Sequence, residues 1–149
     1  MNPFQSREFW YSKFMGFYGM GVESRMLEDA LEAGGVAWWL MELPSGAVFF
    51  SPNKIKILGF TEKDASKFLS YTDFTKLIHP DDYDKTMKAM QAHIDGKAKI
   101  YEAEYRIKTA HGKYVTLYDR GRIVARKGQE MAVAGIVVDP MKHYPGKVD

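Results

Sequence analysis

The sequence of 149 residues contains no cysteine. Disulfides, thiolate zinc sites, iron–sulfur clusters and cysteine nucleophiles are therefore excluded, because each of them needs a Cys sulfur. The sequence also lacks an apolar run of about 18 residues, the length that a transmembrane helix needs, and its first residues lack the apolar core of a signal peptide. We therefore expect no membrane span and a cytoplasmic location.

A strong excess of charge of either sign is also missing. The formal net charge is +2, and acidic and basic residues are interspersed along the chain. This balance predicts no broad basic face for nucleic acid. Apolar residues are plentiful instead, at 46%, with 14% aromatic residues and nine methionines. A chain of this size can bury one core as a single domain, and aromatic and Met side chains can also line a ligand cavity.

Residues 4–20 form an aromatic segment that predicts a helix. Ser6 suits the N-cap, and Trp10, Phe14 and Phe17 recur at the spacing of one helical face. An apolar face of this kind cannot remain in water and invites association. We expect it to make a homodimer contact; packing on its own domain is the alternative.

The remaining patterns predict an α+β fold. Two strands before a group of helices and three strands after it indicate one five-stranded antiparallel sheet, with the helices over one face and the N-terminal helix as an extension. A cleft between helices and sheet is a common place for a small ligand. The predicted elements are a helix at 24–33, strands at 36–43 and 47–50, short helices near 52–58, 61–67 and 72–78, a long helix at 80–94, and strands at 99–108, 113–124 and 131–138.

The stretch 77–82 contains His79, Asp81 and Asp82, which are acceptable metal ligands or acid–base groups. Pro80 between them is typical of the first turn of a helix, and the helix dipole favours carboxylates there. A hydrolase using His79 and Asp81 would lack a nucleophile–base–orienter set. We therefore interpret the stretch as architecture and predict no catalytic site and no metal site.

Five stretches in this order resemble a PAS domain with its PAC portion, of the kind found in bacterial and archaeal sensor proteins. The resemblance covers about three-quarters of the chain, from Glu28 to Asp139. The matching stretches are WLMELPSG at 39–46, FSPN at 50–53 with ILGF at 57–60, LIHPDD at 77–82, EYRI at 104–107 with HG at 111–112, and AGIVVD at 134–139.

The resemblance implies a sensory module that regulates an output, such as a histidine kinase or a diguanylate cyclase. It divides the chain into the N-terminal aromatic helix at 1–23, the PAS/PAC domain at 24–139, and a linker or tail at 140–149 toward an output domain outside this sequence. Two kinds of module are consistent with this role. In the first, a small molecule binds in the cleft; in the second, the core is filled and the domain acts as a ligand-free dimerisation module.

The resemblance also bears on cofactors. Haem-binding members carry the axial His nearer the start and middle of the central helix, where this chain has Lys85 and Thr86, whereas His93 lies at the end; haem is therefore disfavoured. A covalent flavin adduct is excluded by the lack of Cys, and non-covalent flavin stays open. The candidate wall of a pocket, which could equally be a dry core, is Trp38, Leu40, Ile57, Phe74, Ile78, Met87, Met90, Tyr105, Leu117 and Ile136.

Overall fold

The computed structural model describes residues 9–10 and 23–139. Phe14, Phe17 and the tail at 140–149 lie outside the described residues. No helix within the described ranges is both long enough and apolar enough to cross a membrane. The elements are α1 (Glu23–Ala33), β1 (Ala37–Leu43), β2 (Val48–Phe50), α2 (Pro52–Ile57), a 3₁₀ helix (Glu62–Lys67), α3 (Tyr71–Thr75), α4 (Pro80–Ile94), β3 (Tyr101–Lys108), β4 (Tyr114–Lys127) and β5 (Glu130–Val138).

The five strands form one antiparallel sheet in the order β2-β1-β5-β4-β3. The predicted α+β architecture is therefore confirmed. The strand β5 lies at the centre, as its continuous apolar run predicts. The edge strand β3 alternates strictly: Tyr101, Tyr105 and Ile107 are buried, whereas Glu102 and Glu104 are exposed. This alternation turns one face of the sheet toward the helices.

The central helix α4 is attached to the sheet near both of its ends. At its start His79 is the N-cap, and its Nδ1 accepts a hydrogen bond from the backbone N–H of Asp81 at 3.1 Å. The Asp82 carboxylate accepts hydrogen bonds from the backbone N, Nε and Nη2 of Arg106 on β3, at 2.9, 2.8 and 3.0 Å. The stretch 77–82 is therefore a helix start and a tether, in agreement with the architectural interpretation.

The end of α4 is attached through His93. Its Nε2 accepts a hydrogen bond from the backbone N–H of Ile123 on β4, at 2.9 Å. Its Nδ1 must then carry the proton, and it donates to the carbonyl oxygen of Ala98, also at 2.9 Å. Both ring nitrogens are thus occupied within the chain.

The strand β1 is apolar on both faces. Trp39 and Met41 join the main core beneath the helices, whereas Trp38 and Leu40 form a second cluster on the opposite face, with Trp10 among their neighbours. Because β1 lacks polar alternation, its sequence does not reveal which residues face the helices. The prediction that Trp38, Leu40 and Ile136 line the helix–sheet cleft is wrong.

Candidate functional site

A cavity of about 380 Å³ lies between the helices and the inner face of the sheet. Its size is within the range of small-molecule sites, roughly 300–1,000 Å³. Most of its wall is apolar and comes from β1, β2, α3 and α4. The apolar members are Trp39, Met41, Leu43, Val48, Phe50, Phe74, Ile78, Met87, Met90 and Ile94, and the other members are Lys54, Tyr71, Thr75, Tyr83, Thr86, Gln91, Tyr101 and Asp119.

Two tyrosines in this wall connect the cavity to the surface. Tyr71 on α3 is 37% exposed and Tyr83 on α4 is 38% exposed. Both contribute to the cavity wall as well. The cavity wall therefore reaches the protein surface at Tyr71 and Tyr83.

The deeper part of the wall contains a buried carboxylate, Asp119 on β4. Its side chain is on the inner face and the residue is only 4% exposed. Oδ1 accepts a hydrogen bond from Nε1 of Trp39 at 2.7 Å, and Oδ2 accepts one from the hydroxyl of Tyr105 at 2.8 Å. Burial raises the pKa of Asp119, whereas the charge of Lys54 and the hydrogen bonds from Tyr105, Trp39 and Tyr101 act in the opposite direction.

The two tyrosines nearest this carboxylate remain neutral. Burial, together with the negative charge of Asp119, raises the pKa of Tyr101 and of Tyr105 well above the ordinary value of 10.0. Neither hydroxyl therefore ionises at physiological pH. Tyr105 acts as a fixed hydrogen-bond donor beneath the cavity.

The cavity wall also contains a buried cation, Lys54 on α2, which is 1% exposed. Its Nζ lies 3.8 Å from the ring centroid of Phe74 and 5.1 Å from that of Phe50. Desolvation by burial lowers the pKa of Lys54 from 10.5 to about 8, with Asp119 acting in the opposite direction. The amine is therefore still mostly protonated at neutral pH.

Two paired glycines make room for Trp39 in this wall. Gly121 on β4 and Gly135 on β5 are cross-strand neighbours, and Trp39 is paired with Gly135. A Cβ at Gly121 would lie 2.9 Å from Cζ2 of Trp39, and one at Gly135 would clash with the same atom. The indole therefore lies across the backbone of two strands, which brings its N–H to Asp119. Glycine inside a strand often signals such a close approach.

Seven of the ten predicted wall residues lie on the helix side of the sheet. Phe74, Ile78, Met87 and Met90 line the cavity. Ile57, Tyr105 and Leu117 are buried in the same core without lining it. Trp38, Leu40 and Ile136 line a separate groove on the opposite face, beside α1.

The wall predicted from the sequence does not include Trp39, Lys54 and Asp119, which bring a buried indole N–H, an ammonium group and a carboxylate to the cavity. Charged residues are almost never fully buried unless paired, so residue type alone does not place Lys54 or Asp119 in a cavity wall. A signal for Asp119 does exist, because it continues the alternation of Val115 and Leu117 on β4. Lys54 has no comparable signal.

Metal binding finds no support in the described ranges, where no three His, Asp or Glu side chains come together as a metal site. His93 on α4, the residue considered for haem, uses both ring nitrogens in hydrogen bonds. Ligation of iron by His93 would therefore first break its bond to β4 or to Ala98.

Comparison with known proteins identifies the class. Residues 47–137, well over half of the chain, match the family model of the PAS fold. The chain therefore belongs to the PAS family.

Solved structures agree with this assignment. The chain is similar to a sensory box histidine kinase/response regulator from Burkholderia thailandensis, with 26% identity, a TM-score of 0.63, and coverage of 80% of this chain and 87% of that one. It is also similar to the N-terminal domain of a diguanylate cyclase with a PAS/PAC sensor from Marinobacter aquaeolei, with 21% identity, a TM-score of 0.61, and coverage of 73% and 98%. No curated protein sequence matches the chain significantly.

Proposed function

We propose that this PAS domain is a sensor that binds a small molecule in the cavity between the helices and the sheet, and that it acts by binding rather than by catalysis. The observation that carries the proposal is the cavity itself, with a volume of about 380 Å³ and a mostly apolar wall. A mostly apolar wall with a few polar groups is typical of ligand sites.

Binding would be transmitted through α4. This helix supplies Met87, Met90 and Ile94 to the cavity wall, and it is attached to β3 through Asp82 and to β4 through His93. A ligand that packs better against one position of α4 than another shifts the equilibrium between the two positions. The sheet then passes this shift to an output.

The test is native mass spectrometry of the purified protein, followed by a thermal-unfolding screen with small neutral, anionic and cationic metabolites. We expect a retained small molecule, or a stabilising compound, with the wild type. Met90→Trp should fill the cavity and abolish the stabilisation. Ile136→Trp is the matched control, because it enlarges a side chain on the opposite face of the sheet and should leave binding unchanged.

The proposal fails if the wild type carries no small molecule and no compound raises the unfolding temperature. It also fails if Met90→Trp and Ile136→Trp bind a stabilising compound equally well, because the ligand would then occupy another site.

The output is proposed from the relatives, whose sensor domains belong to a histidine kinase and to a diguanylate cyclase. Sequencing the gene beyond the codon for Asp149 tests this proposal. A region that encodes a kinase or a cyclase there supports the proposal. A region that encodes an unrelated domain contradicts a kinase or cyclase output in the same chain. The cytoplasmic location stays a prediction.

A second candidate function is dimerisation with another copy of this chain, through the face of the sheet opposite the cavity. Met26 and Leu27 on α1 are 73% and 67% exposed. On the sheet, Ile136 and Val124 are 40% and 38% exposed. Leu27, Val124 and Ile136 line one groove on this face. Apolar surface of this extent favours association.

This candidate places the contact on another surface than the predicted N-terminal aromatic helix. Trp10 is only 3% exposed and packs near Trp38 and Phe49 of its own chain. The prediction that Trp10, Phe14 and Phe17 form the dimer contact remains untested.

Sedimentation velocity distinguishes the two contacts. Leu27→Glu should give monomers if the groove beside α1 is the contact, and Phe14→Ser with Phe17→Ser should do so if the aromatic helix is. Lys56→Glu on α2, an exposed residue of the cavity side, is the control. A wild type that sediments as a monomer at all concentrations contradicts dimerisation itself.

A further inference from the structure

The ammonium group of Lys54 is the least satisfied charge in the cavity wall. The residue is 1% exposed, and the contacts of Nζ are the rings of Phe74 and Phe50. Among the residues that the structure describes, none accepts a hydrogen bond from Nζ or forms a salt bridge with it. An ammonium group has three donors and no acceptor function.

Asp119 does not satisfy these donors. It attracts Lys54 electrostatically, but it forms no hydrogen bond or salt bridge with Nζ, and its two oxygens accept from Trp39 and Tyr105 instead. The cation–π contact with Phe74 compensates the positive charge on one side of the ammonium group. The donors that point elsewhere remain without an acceptor, although burial of such a charge is unfavourable.

The cavity wall around Lys54 indicates what an acceptor would be attached to. Lys54 is the only Lys or Arg among the described wall residues, and most of the other members are apolar. A single carboxylate would accept from the ammonium group, and an apolar body would pack against Met87, Met90 and Ile94. A phosphate dianion or a dicarboxylate would bring a second negative charge that this wall cannot match, and a cationic ligand would be repelled by Lys54.

We propose that Lys54 anchors the carboxylate of a small apolar monocarboxylic acid in the cavity. This inference rests on the proposed ligand-binding function and specifies the chemical class of the ligand. The hydrogen bonds from Trp39 and Tyr105 fix the position of the Asp119 carboxylate near Lys54. The buried lysine is thereby kept ready for an anion that arrives from solvent.

The test pairs each acid with its neutral amide of the same shape. Phenylacetate and phenylacetamide are the first pair, hexanoate and hexanamide the second, and binding is measured by isothermal titration calorimetry. The wild type should bind each acid at least about tenfold more tightly than its amide, because a hydrogen bond between two charged groups is stronger than one to a neutral amide.

Lys54→Met keeps the length of the side chain and removes the charge, so it should lose the preference for the acid while still binding the amide. Lys56→Met removes an exposed lysine from the same helix and should keep the preference. Circular dichroism of each variant checks that it is folded.

Three results overturn the inference: equal affinity of the wild type for acid and amide, a preference that survives in Lys54→Met, or no binding of any acid in the series. The first two leave the proposed sensor function standing, because a ligand still binds. In the third case the thermal-unfolding screen shows whether the sensor function fails as well. A stabilising compound of another class would refute only the role of Lys54.

Discussion

Asp82 and Asp119 are both nearly buried carboxylates on the helix side of the sheet, at 5% and 4% exposure, yet their pKa values move in opposite directions. Asp82 accepts three hydrogen bonds from Arg106, and these bonds lower its pKa far below the ordinary value of 3.8. Asp119 accepts from the neutral donors Trp39 and Tyr105, and burial raises its pKa.

The difference lies in how each carboxylate meets its cation. The guanidinium of Arg106 contacts Asp82 in bidentate fashion, so the two charges neutralise each other and tether α4 to β3. The ammonium of Lys54 only attracts Asp119 from a distance, and both groups line a cavity. The ion pair of Asp82 and Arg106 therefore has a structural role. Lys54 and Asp119 line a cavity, so their charges can interact with a molecule that binds there.

The largest expected effect comes from Asp119→Ala. This change leaves the buried N–H of Trp39 and hydroxyl of Tyr105 without an acceptor, and it leaves Lys54 without a counter-charge. We expect a loss of about 3–5 kcal/mol in the free energy of unfolding, measured by urea denaturation. Asp119→Asn keeps one acceptor oxygen and should lose less. A loss below about 1 kcal/mol in Asp119→Ala would show that the cluster is not buried in this way.

Lys54→Met should act in the opposite direction and stabilise the protein at pH 7, by up to about 3 kcal/mol, because the desolvation that lowers the pKa of Lys54 from 10.5 to about 8 outweighs the attraction of Asp119. The unfolded chain holds this proton up to its ordinary pKa of 10.5 and the folded chain only to about 8. The wild type should therefore gain stability as pH rises between these values.

Urea denaturation at several pH values checks this effect. The advantage of Lys54→Met over the wild type should shrink as the pH rises above about 8. Lys56→Met, on the exposed side of the same helix, should show no such trend. A Lys54→Met protein that is less stable than the wild type at pH 7 would mean that its contact with Phe74 outweighs desolvation.

The smallest effect is expected at the closed ion pair. Asp82→Asn should lose roughly 2 kcal/mol, the contribution of a hydrogen bond to a charged group. Because the folded pKa of Asp82 is lowered, its contribution is present at neutral pH and is lost progressively below about pH 4. Acid titration of both proteins should therefore bring their stabilities together.

Glu102→Gln is the control for this experiment. Oε2 of Glu102 lies 3.9 Å from Nη2 of Arg120, and the two side chains are 61% and 60% exposed. Surface pairs of this kind contribute less than about 1 kcal/mol. A loss as large as that of Asp82→Asn would contradict the assignment of Asp82 to a buried tether.

Much of the fold follows from local patterns. The strand β3 alternates, and α4 begins at Pro80 with His79 before it, so the boundaries of both elements are close to those predicted. The cavity side of α4 was also predictable, since Met87 and Met90 recur at helical spacing.

The polar part of the site could not be predicted in the same way. The strand β1 is apolar on both faces, so its sequence does not indicate whether Trp38 or Trp39 faces the helices. Lys54 lies on the short helix α2, and Lys56, two residues further along the same helix, is exposed. Nothing local distinguishes the buried lysine from the exposed one.

The sequence by itself determined the order of helices and strands and the helix start at His79, because periodicity, caps and turns act between near neighbours in the chain. It also indicated the PAS family, through the resemblance of five stretches to known members. The tertiary structure decided which face of β1 meets the helices and where Lys54 and Asp119 lie. Those two residues are 65 positions apart in the sequence, and their interaction depends on the packing of α2 against the sheet rather than on any local pattern.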